Sequence, residues 1–129
     1  MKILLDTHIF LWYIAADTRL MEKYVNLIID TKNDIYISVA SIWECTIKQQ
    51  IGKLNFPDKA AKYLTEKREL HLMKSLSIDE NCIKQLANLE SIHKDPFDRI
   101  IISQALEYNL KLITEDSLIK KYELKNLIL

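Results

Sequence analysis

Apolar residues along this chain fall into short runs separated by helical periods. Lys2 to Asp6 (KILLD) is an apolar run closed by an acid, and it reads as a buried strand rather than a half-exposed, alternating one. Ile35 to Val39, Lys111 to Thr114 and Asn126 to Leu129 read as three more strands, with His71 to Leu76 a weaker candidate. A helix is expected directly after the first strand. Further on, Leu20, Tyr24, Leu27 and Ile28 recur at three and four residues, as do Trp43, Ile47 and Ile51, then Ile83, Leu86, Ala87 and Glu90, then Phe97, Ile100, Ile101, Ala105 and Tyr108. Strands alternating with helices predict an α/β fold, a three-layer α/β/α sandwich with a mostly parallel central sheet.

The punctuation is consistent with that order. Ser41-Ile-Trp-Glu44 and Ser77-Ile-Asp-Glu80 match the S-x-x-E capping box, and Asp95-Pro96 sets a cap residue before a proline at the first helical position. Gly52 to Pro57 (GKLNFP) reads as a loop between two helices, which would let the following segment project as a helical hairpin or clip. With 129 residues and no internal repeat, the chain is expected to be one domain, residues 1–129.

Composition narrows the chemistry. Gly52 is the single glycine, which excludes a dinucleotide fingerprint, a P-loop and a nucleophile elbow, since each needs two or more glycines. The work must be done by side chains. Eighteen basic against eighteen acidic residues give zero formal net charge, so no overall basic field advertises nucleic-acid binding. Cys45 and Cys82 form no C-x-x-C and lie in apolar-periodic stretches, which suits a reduced, cytoplasmic protein. No run approaches the length of a membrane span, and no membrane association is expected.

Four acids stand at or near the carboxyl ends of strands, where functional groups of an open parallel sheet collect. Asp6 closes the first strand, Glu44 is expected in the first turn after the second, Asp98 lies in the first turn after Pro96, and Asp116 follows Thr114 by two. Converging in one crevice, they would make an oxygen-rich pocket suited to Mg²⁺ or Mn²⁺ rather than zinc. Two such ions can activate water and neutralise a scissile phosphate. Each acid also has a structural role open to it. Glu44 could complete a capping box, Asp98 could favour its helix dipole, Asp116 could cap a short helix at Ser117 to Lys121, and Asp95 is assigned to capping. Asp6 has the least structural reason to end a buried strand.

Leu5-Asp6-Thr7, Ser38-Val-Ala-Ser41-Ile-Trp-Glu44, Asp95-Pro-Phe-Asp98-Arg-Ile-Ile-Ile-Ser-Gln-Ala105 and Leu112-Ile-Thr-Glu-Asp116 together resemble the PIN-domain ribonucleases, specifically the VapC-type toxins of prokaryotic toxin–antitoxin pairs. The resemblance spans essentially the whole chain. It implies a metal-dependent endoribonuclease in which Asp6, Glu44, Asp98 and Asp116 are the catalytic metal ligands. Thr7, Ser38 and Thr114 match small hydroxyl positions that support the pocket. It further implies a cognate antitoxin that covers the acids, and a homodimer, for which Phe10 to Tyr13 offer apolar interface. The chain departs from the family where His8 follows Asp6-Thr7 and where Glu115 precedes the last acid.

A neutral protein can still hold RNA through a local patch. Lys48 to Arg68 carries six basic and two acidic residues, and Lys48, Lys53 and Arg99 are the candidate substrate-binding residues. Lys48 could instead pair with Glu44 at i, i+4. Single-stranded or looped RNA is the expected substrate, because an A-form duplex hides its base edges. Trp12, Trp43, Phe97 and Tyr108 are assigned to core or interface; His93, just before the Asp95 motif, could line the pocket but is assigned to a surface loop. The alternative to an enzyme is a catalytically silent PIN scaffold binding RNA or a protein. A receiver domain is disfavoured because no Lys-Pro occurs, and a D-x-D phosphatase because His8 occupies the second acid's place.

Overall fold

The computed structural model describes residues 1–128. Its elements run β1 (Lys2–Leu5), α1 (Thr7–Ile14), α2 (Glu22–Ile29), β2 (Asp34–Ser38), α3 (Val39–Gln50), α4 (Ala60–Leu70), β3 (Lys74–Leu76), α5 (Glu80–Ala87), α6 (Pro96–Glu107), β4 (Lys111–Ile113) and β5 (Leu127–Ile128). The predicted strands all form, although Leu129 of the last run lies outside the described residues. Strand order is β3-β2-β1-β4-β5, and every pairing is parallel.

β1 is flanked on both sides, so Ile3, Leu4 and Leu5 are fully buried, which is why KILL reads as an unbroken apolar run. The strand pleat divides the core in two. Ile3, Leu5, Ile35, Ile37 and Ile113 pack with Ile9, Tyr24, Cys45 and Leu64 on one face. Leu4 and Leu112 pack with Ile100, Ile101, Ile102 and Ala105 of α6 on the other. The sheet is thus the middle of three layers, as the pattern predicts.

Several local expectations are corrected. Helix α3 begins three residues early: Ser38, not Ser41, is its cap, its Oγ accepting from the Ala40 N–H at 3.0 Å. Glu44 therefore lies in the second turn and completes no capping box. Likewise Asp79, not Ser77, caps α5, accepting from the Cys82 N–H at 3.0 Å. The segment after Gly52 takes the hairpin form rather than projecting: α4 folds back on α3, Gln49 Oε1 accepting from the Ala60 N–H at 2.6 Å, and buries Ala60 and Leu64 in the core. Phe10 is core rather than interface; Trp43, set against Phe97, is 55% exposed, which removes the core half of its core-or-interface assignment and leaves the other.

The scarcity of glycine has a structural counterpart. Helices α1, α3, α4 and α6 each end in a Schellman motif, with the first residue past the cap at positive φ and the next N–H reaching back to the helix. Gly52 fills that position after α3; Ala16, Leu72 and Asn109 fill it after the other three.

Candidate functional site

Where the strand order reverses, between β1 and β4, the strand ends open a crevice. Asp6 leaves β1 there. Its N–H donates to the Ile113 carbonyl at 3.1 Å, and its Oδ1 caps α1 by accepting from the Ile9 N–H at 2.9 Å. The capping role is the structural reason for Asp6 that sequence reasoning lacked. From the end of β4, the Thr114 hydroxyl donates to Asp6 Oδ2 and accepts from the Asp116 N–H at 3.0 Å, so one side chain ties two acids together. Asp116 in turn uses Oδ1 to accept from the N–H groups of Leu118 and Ile119, at 2.8 and 3.0 Å. That leaves Oδ2 pointed elsewhere.

It points at His93. The His93 Nε2 lies 3.1 Å from Asp116 Oδ2 and 3.1 Å from Asp98 Oδ2. Asp98 is placed by α6, whose cap Asp95 accepts from the Phe97 and Asp98 N–H groups at 2.8 and 3.4 Å. Among the described residues, His93, Asp98 and Asp116 are the set whose ligand atoms all fall within 4.8 Å of one another. Glu44 approaches from α3 and is 4% exposed. Thr7 donates to its Oε1 at 2.9 Å, and Lys48 Nζ lies 2.7 Å from its Oε2, one turn along the helix.

The carboxylates feel burial and one another. Burial pushes Asp6 up to about 6, against the hydrogen bonds from Thr114 and Ile9. Burial also raises Asp98, to about 7, helped by the charges of Asp95 and Glu44. Asp116 is opposed by the same burial, but the His93 hydrogen bond and two backbone N–H groups outweigh it and hold its carboxyl below the usual range. The Cys45 thiol, beside Glu44 and buried, is pushed up to about 12 and offers neither a thiolate ligand nor a nucleophile.

A family model, the PIN domain, matches residues 3–125. The chain belongs to the PIN domain family. Its fold is similar to that of VapBC2 from Rickettsia felis bound to a promoter DNA fragment, at 23% identity and a TM-score of 0.68, covering 99% of this chain and 96% of that one. VapBC-1 from nontypeable Haemophilus influenzae is similar at 19% identity and a TM-score of 0.66, covering 95% and 90%. A toxin–antitoxin complex from Klebsiella pneumoniae follows at 15% identity and a TM-score of 0.61, covering 98% and 96%. No curated protein matches the chain in sequence.

Not every residue singled out in the sequence reaches the site of this PIN domain. Ser38 spends its hydroxyl on the Ala40 N–H and on Gln104 Oε1, 2.6 Å away, tying α6 to the end of β2 rather than lining the pocket. Arg99 is no free phosphate ligand. Its guanidinium donates to the carbonyls of Glu90, His93 and Leu89 at 2.9, 3.2 and 3.4 Å, pinning the loop before α6. Lys53 is exposed, and Lys48 takes the ion pair with Glu44. Glu115 turns inward, its Oε2 lying 3.2 Å from Lys120 Nζ, and helps raise the neighbouring Tyr24 hydroxyl, whose burial is the larger cause. A cavity of about 580 Å³, lined by Trp12, Arg19, Phe56 and Tyr63, adjoins the acids through Thr7 and Lys48.

For His93 the disfavoured of two readings holds: it lines the pocket, beside Asp98 and Asp116. It is buried, not on a surface loop. Its one signal in the chain is its place two residues before the Asp95 cap.

Proposed function

We propose that this chain is a single-domain, metal-dependent endoribonuclease, the cytoplasmic toxin of a toxin–antitoxin pair. The observation that carries the reading is the gathering of Asp6, Glu44, Asp98 and Asp116 around one crevice at the strand-order reversal. There the charge of Asp116 reaches Asp6, and that of Glu44 reaches Asp98. The donor set fits Mg²⁺ or Mn²⁺: carboxylate oxygens of mixed burial, with no thiolate available. A divalent ion bound among these four acids would supply Lewis-acid charge and an activated water for hydrolysis of the RNA phosphodiester bond.

The chain's own residues do the positioning. Thr114 aims Asp6 and fixes the turn that presents Asp116, while Thr7 aims Glu44. Lys48 holds an ammonium at the rim, between the acids and the adjoining cavity, where it can swing from Glu44 to a phosphate. Single-stranded RNA suits a crevice whose basic neighbours are few and local. Fold similarity to a toxin–antitoxin complex supports an antitoxin as partner. A homodimer is the proposed assembly. No described helix is long and apolar enough to cross a membrane.

The test is cleavage of a mixed single-stranded RNA pool by purified protein with Mn²⁺, with and without chelator. The expected result is internal cleavage that chelator abolishes and that Asp98→Asn loses. Chelator-independent cleavage, or none, would overturn the reading in favour of a silent RNA- or protein-binding scaffold.

A further inference from the structure

We propose that His93 is a positioning residue that sets the spacing of two metal-binding carboxylates without itself binding the metal; the inference rests on the metal-site reading above. The assignment follows from which nitrogen holds the proton. Nδ1 of His93 accepts from the Asp95 backbone N–H at 3.1 Å. An acceptor nitrogen carries no proton in neutral imidazole, so the proton sits on Nε2. Nε2–H then donates to Asp116 Oδ2 at 3.1 Å, and Asp98 Oδ2 lies 3.1 Å from the same nitrogen as an electrostatic contact without the alignment of a hydrogen bond.

Two carboxylates this close repel one another. An N–H donated to Asp116, with its positive edge set 3.1 Å from Asp98, offsets that repulsion and keeps both oxygens converged within the span a cation can bridge. Because the proton occupies Nε2 and the backbone occupies Nδ1, neither ring nitrogen is open as a ligand.

The ring is held as a fixed part. The His93 N–H donates to Tyr122 Oη at 2.8 Å, and Tyr122 Oη donates onward to the Glu90 carbonyl at 2.8 Å. The His93 carbonyl accepts from Arg99 Nη1 at 3.2 Å, and the same nitrogen also reaches the Glu90 carbonyl. Loop, ring and Asp116 thus form one hydrogen-bonded unit, with Asp98 held beside it by charge. Outer groups that orient metal ligands in this way change metal affinity by about 10–100-fold when removed.

Three variants separate the two ring nitrogens. His93→Gln places an amide N–H near the Nε2 position, His93→Asn replaces the Nδ1 position only, and His93→Ala removes both. Mn²⁺ binding is measured directly by titration calorimetry, with folding checked by circular dichroism in chelator. The expected result is a dissociation constant raised about tenfold or more in the alanine and asparagine variants, and largely restored in the glutamine variant. Pulsed electron paramagnetic resonance of Mn²⁺ on the parent protein is expected to show no directly bonded nitrogen.

Unchanged affinity in folded His93→Ala, or rescue by asparagine rather than glutamine, would overturn the proposal. So would a directly bonded nitrogen, which makes His93 a ligand. If His93→Ala does not fold, the glutamine and asparagine pair decides alone. A parent protein that binds no Mn²⁺ would instead overturn the metal-site reading beneath it.

Discussion

Replacing Asp98 by Asn should stabilise the chelated protein, and the pH dependence of that gain tests the electrostatics of the site. Asp98 titrates at 3.8 when unperturbed and at about 7 in the folded chain, chiefly because it is buried. The folded state therefore binds its proton more tightly than the unfolded state does. Between those two values the folded protein carries more protons, so raising pH destabilises it, and above about 7 the penalty is complete. At about 1.4 kcal/mol per tenfold difference in proton affinity, the full penalty is ~4 kcal/mol. The side chain keeps 17% exposure, and solvent screening at that edge brings the expectation to ~2 kcal/mol. Asn keeps the shape of the side chain and an oxygen beside His93 but has no charge to bury. Urea denaturation in EDTA should show the variant more stable by ~2 kcal/mol at pH 8, with the gap shrinking severalfold by pH 4.5. Adding Mn²⁺ at one hundred times its dissociation constant should reverse the order, because binding would stabilise the parent by about 2.7 kcal/mol and leave the variant largely unmoved. A variant less stable than the parent in EDTA at pH 8, or a gap independent of pH, would refute the account of Asp98 as a strained buried carboxylate.

Leu72 sits at φ 57 past the end of α4 and is 89% exposed, so Leu72→Gly should relieve backbone strain at little cost in packing. A gain of ~0.5–1 kcal/mol is expected in a thermal melt, and a loss would show that the Leu side chain packs. Arg99→Lys cannot span three carbonyls and should cost ~2 kcal/mol, while the salt dependence of RNA binding stays unchanged. A salt slope lower by about one at unchanged stability would instead make Arg99 a phosphate contact. Asp6→Asn keeps the cap on α1 whereas Asp6→Ala removes it, so both should lose Mn²⁺ binding but Ala should be less stable than Asn by ~1 kcal/mol in chelator. Equal stabilities, measured by denaturation, would mean that the cap contributes nothing.

The layers, and the places of Asp6 and Asp116 just past strand ends, were legible because each rests on local pattern: unbroken apolar runs for strands buried on both faces, three-four periods for helices, and acids closing the runs. The start of α3 was not legible. Ser41 and Glu44 satisfy the spacing of a capping box, but β2 runs in register with β1 only as far as Ile37 against Leu5, and the next residue, Ser38, turns the chain into the helix. Two serines three residues apart compete for one cap, and pairing with a distant strand decides between them. His93 and Arg99 were misplaced for the same reason. His93 meets Asp116 across 23 positions, and Arg99 closes a loop of carbonyls up to ten positions back. No periodicity encodes such contacts, whereas Lys48 with Glu44, one turn apart, is readable in the chain.

The structural and functional readings of the acids are not rivals once the geometry is known. Asp6 and Asp116 use one carboxylate oxygen to cap a helical segment and aim the other into the site, and Asp95 caps the helix that presents Asp98. The N–H groups at the starts of α1 and α6 and of the turn after Asp116 are donated to Asp6, Asp95 and Asp116, and so favour negative charge on those side chains. What separates the acids is how many donors each keeps against its burial. Asp116 has two backbone N–H groups and a share of His93, and stays ionised below the usual range. Asp6, more deeply buried, has one backbone N–H and the Thr114 hydroxyl, and rises to about 6. Asp98, partly buried, accepts no hydrogen bond among the described residues, faces Asp95 and Glu44 with only the charge of His93 to offset them, and rises to about 7. Asp98 is thus the carboxylate with most to gain from a cation and the first to be protonated as pH falls. On the metal-site reading, acid inactivation should therefore begin at Asp98, while Asp116 is still fully charged.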